Sequence, residues 1–285
     1  MLGWGTEVRG RTLERVVEVT PGSVTPMDLA GKRVVVTGVA SGIGLATARY
    51  LKQREVTIVG IDLEPSDVSD SHFEADLSDP DQIDRVVSSI APGAHGLCNI
   101  AGVPPSAPPE MVLGLNAKGL ERLTVGLVPQ LADGASIVNI ASSAGSGWAR
   151  RAETLRAFDD AAFEPQALRE FAVDHGLLEE GESYFFAKEF VVSWTMRNRW
   201  TWRDRGIRVN SISPGPVDTP ALQDFIETLG RARRIMELMD RPGRPDEIAP
   251  VVAFLLSDES AWIRGTNVAV DGGMTSHLAL EQSGL

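Results

Sequence analysis

A glycine-rich turn between the first apolar run and the first amphipathic segment constrains the fold most strongly. Arg33–Thr37 is rich in β-branched residues and predicts a buried strand, and Ile43–Arg54 predicts a helix. Glycines in such a turn let the backbone approach a pyrophosphate, and the new helix offers it free N–H groups and a positive dipole end. A flexible strand–helix turn is the simpler alternative. The residues predicted to bind a dinucleotide here are Gly38, Ser41, Gly42, Ile43 and Gly44.

Strand-like and helix-like segments alternate through the rest of the chain. A short third strand is expected just before Ala75, and the other predicted strands are Val56–Asp62, Leu97–Ala101, Ser136–Ala141, Ile207–Ile212 and Asn267–Val270. The predicted helices are Pro80–Ile90, Val112–Leu131, Ser183–Arg203 and Asp246–Leu256. Near-continuous apolar strands separated by helices favour a parallel sheet covered on both faces. We therefore predict one doubly wound α/β Rossmann domain over residues 29–285, with seven parallel strands and helices on both faces.

Two segments do not follow this alternation. Residues 1–28 precede the first strand and predict an N-terminal extension, because acidic residues interspersed with its arginines argue against a transit peptide. Residues 146–182 carry several charges and predict a helical insertion. One helix is expected near Ala152–Asp160, and a second is expected to begin around Pro165 and to stop at Gly176.

Composition excludes several classes of function. The chain has 285 residues, 43% of them hydrophobic, so it can bury a sizeable core. No apolar run approaches the roughly 20 residues that cross a bilayer. A formal net charge of −12 does not suit nucleic acid or an anionic membrane. One cysteine, Cys98, and four scattered histidines give neither an internal disulfide nor zinc-ligand spacing. We expect a soluble cytoplasmic protein that acts on a small molecule without a metal.

Asp62, at the end of the second predicted strand, bears on the choice of dinucleotide. It follows the glycine turn at close to the roughly 20 residues expected of a ribose-binding acid. A carboxylate there accepts hydrogen bonds from the ribose hydroxyls and repels a 2′-phosphate, so the sequence favours NAD over NADP. The alternative is that Asp62 faces solvent at the end of its strand and does not bind the ribose. Asp76 is interpreted either as a contact to the adenine edge or as a loop cap.

Tyr184 and Lys188 lie four residues apart and hence on one face of a predicted helix. A phenol has a pKa of about 10, which is too high for a base at neutral pH. A neighbouring ammonium favours the phenolate and is expected to lower that pKa. An amphipathic surface helix with an exposed lysine is the alternative, although the chain has only two tyrosines.

These motifs together resemble the short-chain dehydrogenase/reductase family over about residues 28–273. The resemblance rests on the TG-x-x-x-G-x-G turn, the NIAG sequence at residues 99–102, Asn116, Ser142, the Y-x-x-x-K pair and Pro214-Gly215. It implies that Tyr184 is the general acid/base and that Lys188 binds the nicotinamide ribose. It also implies that Ser142 bonds the substrate oxygen and that Asn116 holds a relay water. Further cofactor contacts implied by the resemblance are Asp76, Leu77, Asn99, Ala101, Gly102, Pro214, Gly215, Val217 and Thr219.

Two departures from the family pattern matter. The usual NNAG is NIAG here, because Ile100 replaces the second asparagine. The segment between Ser142 and Tyr184 is also unusually long, which the predicted insertion explains. Ser143 competes with Ser142 for the catalytic assignment, and we favour Ser142 because it directly follows the apolar end of the strand.

The long insertion resembles the 3α-hydroxysteroid dehydrogenase/carbonyl reductase branch of the family. The sequences around residues 96–104, 136–150 and 213–220 resemble its coniferyl-alcohol dehydrogenases more closely. That likeness implies a hydrophobic or aromatic alcohol and its aldehyde or ketone, with Ser142, Trp148, Tyr184 and Phe225 as substrate contacts. The family resemblance implies a homodimer or homotetramer formed through the long Val112 and Tyr184 helices. A catalytically silent NAD(H)-binding regulator and an assembly protein are the alternatives.

Overall fold

A parallel β-sheet forms the centre of the computed structural model, which describes residues 27–179, 181–229 and 236–284. Its strands are β1 Arg33–Thr37, β2 Thr57–Asp62, β3 Ser71–Glu74, β4 Ala94–Asn99, β5 Leu131–Ile140, β6 Arg208–Pro214 and β7 Asn267–Val270. The spatial order is β3-β2-β1-β4-β5-β6-β7. Because the order reverses between β1 and β4, a crevice opens at the carboxyl ends of these two strands. The predicted seven-stranded Rossmann architecture is confirmed.

Helices cover both faces of the sheet. They are α1 Gly42–Lys52, α2 Pro80–Ser89, α3 Pro109–Leu113, α4 Leu120–Leu127, α5 Ala152–Asp159, α6 Pro165–Asp174, α7 Glu182–Arg197, α8 Leu222–Thr228, α9 Pro245–Leu256 and α10 Met274–Ser283. α8 and α10 were not predicted. A π-helical segment, Gly114–Gly119, joins α3 to α4, so the single predicted helix over Val112–Leu131 is wrong in this detail. A Cβ on Gly119 would lie 2.0 Å from the Leu77 carbonyl oxygen, so the segment approaches the β3–α2 loop closely.

The central strands β1, β2, β4 and β6 are buried on both faces, and their successive side chains point to opposite sides of the sheet. Val35 of β1 belongs to the core cluster on the α3, α4 and α7 side. Val34 and Val36, its neighbours, belong to the cluster on the α1 and α9 side. The apolar run that predicted a buried strand therefore supplies both cores at once.

After β5 the chain forms a 3₁₀-helical segment, Ser143–Arg151, and the insertion then continues into α5 and α6. Both predicted helices are present, within two residues of their expected ends. Phe158 of α5 lies 4.9 Å from Phe171 of α6 between ring centroids. It also lies 5.2 Å from Phe186 and 5.2 Å from Phe190, both on α7. The insertion thus packs on the helix that carries the predicted catalytic pair.

Two further predictions concern the chain's surroundings. The proposed N-terminal extension, residues 1–28, lies almost entirely outside the described residues. None of the helices within the described ranges combines the length and the apolar character needed to cross a bilayer.

Candidate active site

The glycine turn brings backbone atoms together so tightly that side chains do not fit. Gly38 has a φ of +69°, and a Cβ there would lie 2.9 Å from the Ala101 Cα. A Cβ on Gly44 would lie only 1.9 Å from the carbonyl oxygen of Gly38. Ser41 is the extended N-cap residue of α1. This narrow cradle at a helix N-terminus fits the pyrophosphate of a dinucleotide.

Asp62 ends β2 beside this turn. Its carboxylate accepts hydrogen bonds from the Ala40 N–H at 2.9 Å and the Glu64 N–H at 3.2 Å. The backbone of the turn itself therefore fixes the acid at the carboxyl end of the sheet. The combination of a glycine cradle with an adjacent carboxylate fits an adenine dinucleotide.

Thr37 links the first strand to the start of the NIAG loop and was not predicted from the sequence. Its buried hydroxyl accepts hydrogen bonds from the N–H groups of Ile100 and Ala101 at 2.8 and 2.9 Å. These bonds hold the loop against the glycine turn. The side chain of Asn99 points away into the core, where its amide donates to Thr124 Oγ1 and Asn139 Oδ1, both at 2.8 Å.

A cavity of about 750 Å³ opens at the carboxyl ends of the strands. Three predicted catalytic residues, Ser142, Tyr184 and Lys188, line it. Its walls also hold Ser143, the alternative to Ser142, so lining the cavity does not separate the two. The other predicted residues in its walls are Gly38, Ser41, Gly42, Ile43, Gly44, Ala101, Gly102, Pro214, Gly215, Val217, Thr219 and Phe225.

Tyr184 is only 6% exposed and faces this cavity. Burial raises the pKa of Tyr184, and a hydrogen bond with the Ser142 side chain opposes that rise. The expected lowering of this pKa is therefore not what the structure gives, because desolvation of the phenolate outweighs the favourable contacts. The bond to Ser142, rather than to Ser143, supports the predicted catalytic serine. Phe225 of α8 packs edge-on against the ring, 5.0 Å between centroids.

Lys188 lies beside the phenol, with its Nζ 5.6 Å from the ring centroid of Tyr184. The ammonium donates to the Ile140 carbonyl at 3.0 Å, and burial lowers the pKa of Lys188 to about 8. Asn116 approaches from the π-helical segment, but its amide exchanges two hydrogen bonds with the Val103 backbone, at 2.9 and 3.0 Å. The side chain is thereby engaged, and a relay role for Asn116 stays a prediction.

Several predicted site residues lie outside the cavity walls. Asp76 accepts hydrogen bonds from the Ser78 N–H and hydroxyl at 2.8 and 2.7 Å, which is the loop-capping alternative. Trp148 packs against the core cluster on the α7 side. Among the described residues, those predicted for the site but absent from the cavity walls are Asp62, Asp76, Leu77, Asn99, Asn116 and Trp148.

Other cavity residues were missed by the sequence analysis. Some of the apolar ones come from α8 and α10, whose short sequences gave no periodic signal. The charged ones come from the insertion, from α7 and from α10, and scattered charges do not indicate a common site. The missed residues that are discussed below, or that the two unpredicted helices contribute to the cavity, are Arg150, Arg151, Glu182, Glu189, Leu222, Ile226, Met274, Leu278 and Glu281.

Comparisons with known proteins agree with this geometry. Residues 32–152 match the family model described as short chain dehydrogenase, and residues 170–275 match the one described as Enoyl-(Acyl carrier protein) reductase. Coniferyl-alcohol dehydrogenase of Pseudomonas sp. strain HR199 is 38% identical over 259 residues, covering 88% of this chain and 99% of the relative. The 3-alpha-hydroxysteroid dehydrogenase/carbonyl reductase of Comamonas testosteroni is 30% identical over 255 residues, covering 85% and 95%.

Solved structures give the same result. The 3-alpha-hydroxysteroid dehydrogenase from Pseudomonas sp. B-0831, complexed with NADH, superposes with a TM-score of 0.75 at 29% identity. The match covers 87% of this chain and 98% of that one. With the glycine cradle, the serine–tyrosine contact and the buried lysine in one cavity, the chain belongs to the short-chain dehydrogenase/reductase family of oxidoreductases.

Proposed function

We propose that the protein is an NAD-dependent oxidoreductase that interconverts a hydrophobic or aromatic alcohol and its aldehyde or ketone, much as its coniferyl-alcohol dehydrogenase relative does. The carrying observation is Tyr184, which is buried and lines, together with Ser142 and Lys188, a cavity that the glycine turn also borders. NAD⁺, when bound, supplies the hydride acceptor. Asp62 supports NAD over NADP, because its carboxylate opposes a 2′-phosphate.

The chain's own residues orient the alcohol and take up its proton. Ser142 and Tyr184 together hold the substrate oxygen, and the phenolate form of Tyr184 receives the hydroxyl proton. Lys188, with its pKa lowered to about 8 by burial, is poised to pass a proton near neutral pH. Phe225 gives the substrate an apolar wall against the tyrosine ring, which suits a flat or hydrophobic molecule.

Of the two alternatives, one retains support and the other does not. The likeness to steroid-acting relatives favours a 3α-hydroxysteroid dehydrogenase/carbonyl reductase, for which a cavity of about 750 Å³ has room. A catalytically silent NAD(H)-binding regulator is disfavoured, because Ser142, Tyr184 and Lys188 are all present.

We also propose a homodimer or homotetramer. Since α5 and α6 pack on α7, any oligomer built on that helix must accommodate the insertion.

The test is a panel of alcohols and carbonyls followed by the NADH absorbance band. It contains coniferyl alcohol, a 3α-hydroxysteroid and simple aryl ketones, each with NAD(H) and NADP(H). We expect the highest kcat/KM with NAD⁺ and an aromatic allylic alcohol. Tyr184→Phe should lower kcat at least about 1000-fold while NADH still binds. A Tyr184→Phe protein with normal turnover, or a wild type inactive throughout the panel, would falsify the proposal.

A further inference from the structure

Two carboxylates on α7 flank the Tyr184–Lys188 pair. Glu182 lies two residues before the tyrosine, and Glu189 directly follows the lysine. They are two helical turns apart and hence lie on one face of α7. Both line the cavity. The side chain of Glu189 is only 7% exposed, so its charge is poorly solvated.

Arg151, the last residue of the 3₁₀-helical segment, contacts both carboxylates. Its Nη2 forms a close ion pair with Glu182 Oε2. Its Nε lies 3.3 Å from Glu189 Oε2. The planar guanidinium carries several N–H donors in a fixed fork, so one arginine can serve two acids that a single ammonium would serve less well.

The segment that ends at Arg151 begins immediately after Ser142. It lies along α7 at very short range, because a Cβ on Gly145 would be 2.6 Å from the Lys188 carbonyl oxygen. A Cβ on Gly147 would be 2.5 Å from Glu189 Oε1. One end of this segment therefore adjoins the serine that contacts Tyr184, and the other end is fixed to α7 by Arg151.

We propose that Arg151 is a positioning residue for the reaction. Its ion pairs to Glu182 and Glu189 hold Ser142 in register with Tyr184 and offset two carboxylate charges beside the catalytic pair. This inference rests on the proposed function.

The charges around the pair determine how the loss of Arg151 would act. The charged side chains that line the cavity with Tyr184 and Lys188 are Arg150, Arg151, Glu182, Glu189 and Glu281. On other elements against α7, Lys118 bonds the Asp159 carbonyl, and Glu110 pairs with Arg169. Without Arg151 the two carboxylates of α7 favour the lysine ammonium and disfavour the tyrosine phenolate. The pH profile of alcohol oxidation should then move to higher pH.

The experiment compares Arg151→Ala with wild type in the full chain. We expect kcat to fall about 10-fold to 100-fold, because a small misplacement of reacting groups has effects of that size. The midpoint of the pH profile of alcohol oxidation should rise by about half a pH unit or more. The Kd for NADH, measured by fluorescence without turnover, should stay within about twofold. The control is Arg156→Ala, since Arg156 is exposed on α5 and its one hydrogen bond within the described part of the chain goes to the Ala152 carbonyl of its own helix.

Two further variants separate positioning from mere stability. Arg151→Lys should give an intermediate kcat. Adding Glu189→Gln to Arg151→Ala should move the midpoint back toward wild type, which a purely structural defect would not do. An Arg151→Ala enzyme with wild-type kcat and pH profile overturns the proposal. So does a loss of kcat whose midpoint neither shifts nor responds to Glu189→Gln.

If Arg151→Ala does not fold, Arg151→Lys decides, and a lysine variant with unchanged kcat and midpoint rejects the inference. Failure of the proposed function is distinguishable, because it would show as a wild type without turnover on any alcohol. A wild type that turns over while the Arg151 variants behave identically rejects only the positioning role.

Discussion

The glycine turn and the insertion border the same cavity but are held in place by different means. At the turn, backbone meets backbone, and a Cβ on Gly44 would lie 1.9 Å from the Gly38 oxygen. The 3₁₀-helical segment of the insertion also approaches the α7 backbone closely at Gly145, but α5 and α6 are held by side chains. Phe158 packs on three other aromatic rings, and Lys118 bonds the Asp159 carbonyl. Backbone approach demands glycine at fixed spacing, whereas side-chain packing tolerates many sequences.

The largest effect is expected from a substitution in the glycine turn, which we compare with the same substitution at a glycine of the insertion. Gly44→Ala should weaken NADH binding at least about 100-fold and destabilise the fold by about 3 kcal/mol or more, because backbone must move to make room. Gly176, after α6, has a φ of +67° but nothing within 4 Å of a Cβ. Gly176→Ala should therefore cost only about 1 kcal/mol, from the left-handed conformation alone. Denaturant unfolding and NADH fluorescence titration measure both.

Equal effects of the two glycine substitutions on NADH binding would contradict the comparison. So would a Gly44→Ala protein that binds NADH normally. Either result would mean that the turn relaxes as easily as the solvent-exposed end of α6.

The second prediction removes the aromatic anchor of the insertion. Phe158 is fully buried, and Phe158→Ala should lower the free energy of unfolding by about 3–5 kcal/mol through lost burial and a cavity. NADH binding should change by no more than a few-fold in the folded fraction, because the glycine turn does not depend on this cluster. The matched control is Val173→Ala on α6, where a side chain that is 54% exposed should cost under about 0.5 kcal/mol. Loss of NADH affinity from a folded Phe158→Ala protein would show that the two regions are coupled.

The same contrast explains what the sequence could predict. Arg33–Thr37 and Asn267–Val270 have the predicted bounds, because valine-rich runs favour the extended conformation of a strand. The turn and the Tyr184–Lys188 pair were predictable from spacing, since their chemistry requires fixed residue types at fixed intervals. The insertion helices were also predicted, but not the rings on α7 against which Phe158 packs.

The missed features depend on partners that are distant in the chain. Arg151 meets two glutamates more than thirty residues away. α8 is short and has no fully buried residue, so its sequence lacks the apolar stripe that would have predicted a helix. Trp148 was expected at the substrate but packs against the core, because an apolar residue near a cavity mouth has both options. Spacing constrains local geometry, and it does not identify which surface a side chain will meet.

Lys188 lines the cavity that the glycine turn and the insertion both border, and its buried amine allows the last prediction. Burial lowers its pKa to about 8 in the folded protein, whereas an unfolded chain has a lysine pKa of about 10.4. Below pH 8 both states hold the proton. Between about pH 8 and 10.5 the unfolded state binds more protons than the folded state, so the contribution of this lysine to stability rises with pH.

The free energy of unfolding of wild type, relative to Lys188→Met, should therefore rise by up to about 3 kcal/mol across this window. Methionine also removes the hydrogen bond to Ile140, and this shifts the absolute stability of the variant at every pH. The difference in slope, rather than in stability at one pH, isolates the titration. Denaturant unfolding of both proteins at half-unit pH steps measures it. Parallel curves would mean that Lys188 is solvated enough to keep its ordinary pKa, and the Tyr184–Lys188 pair would then be open to water.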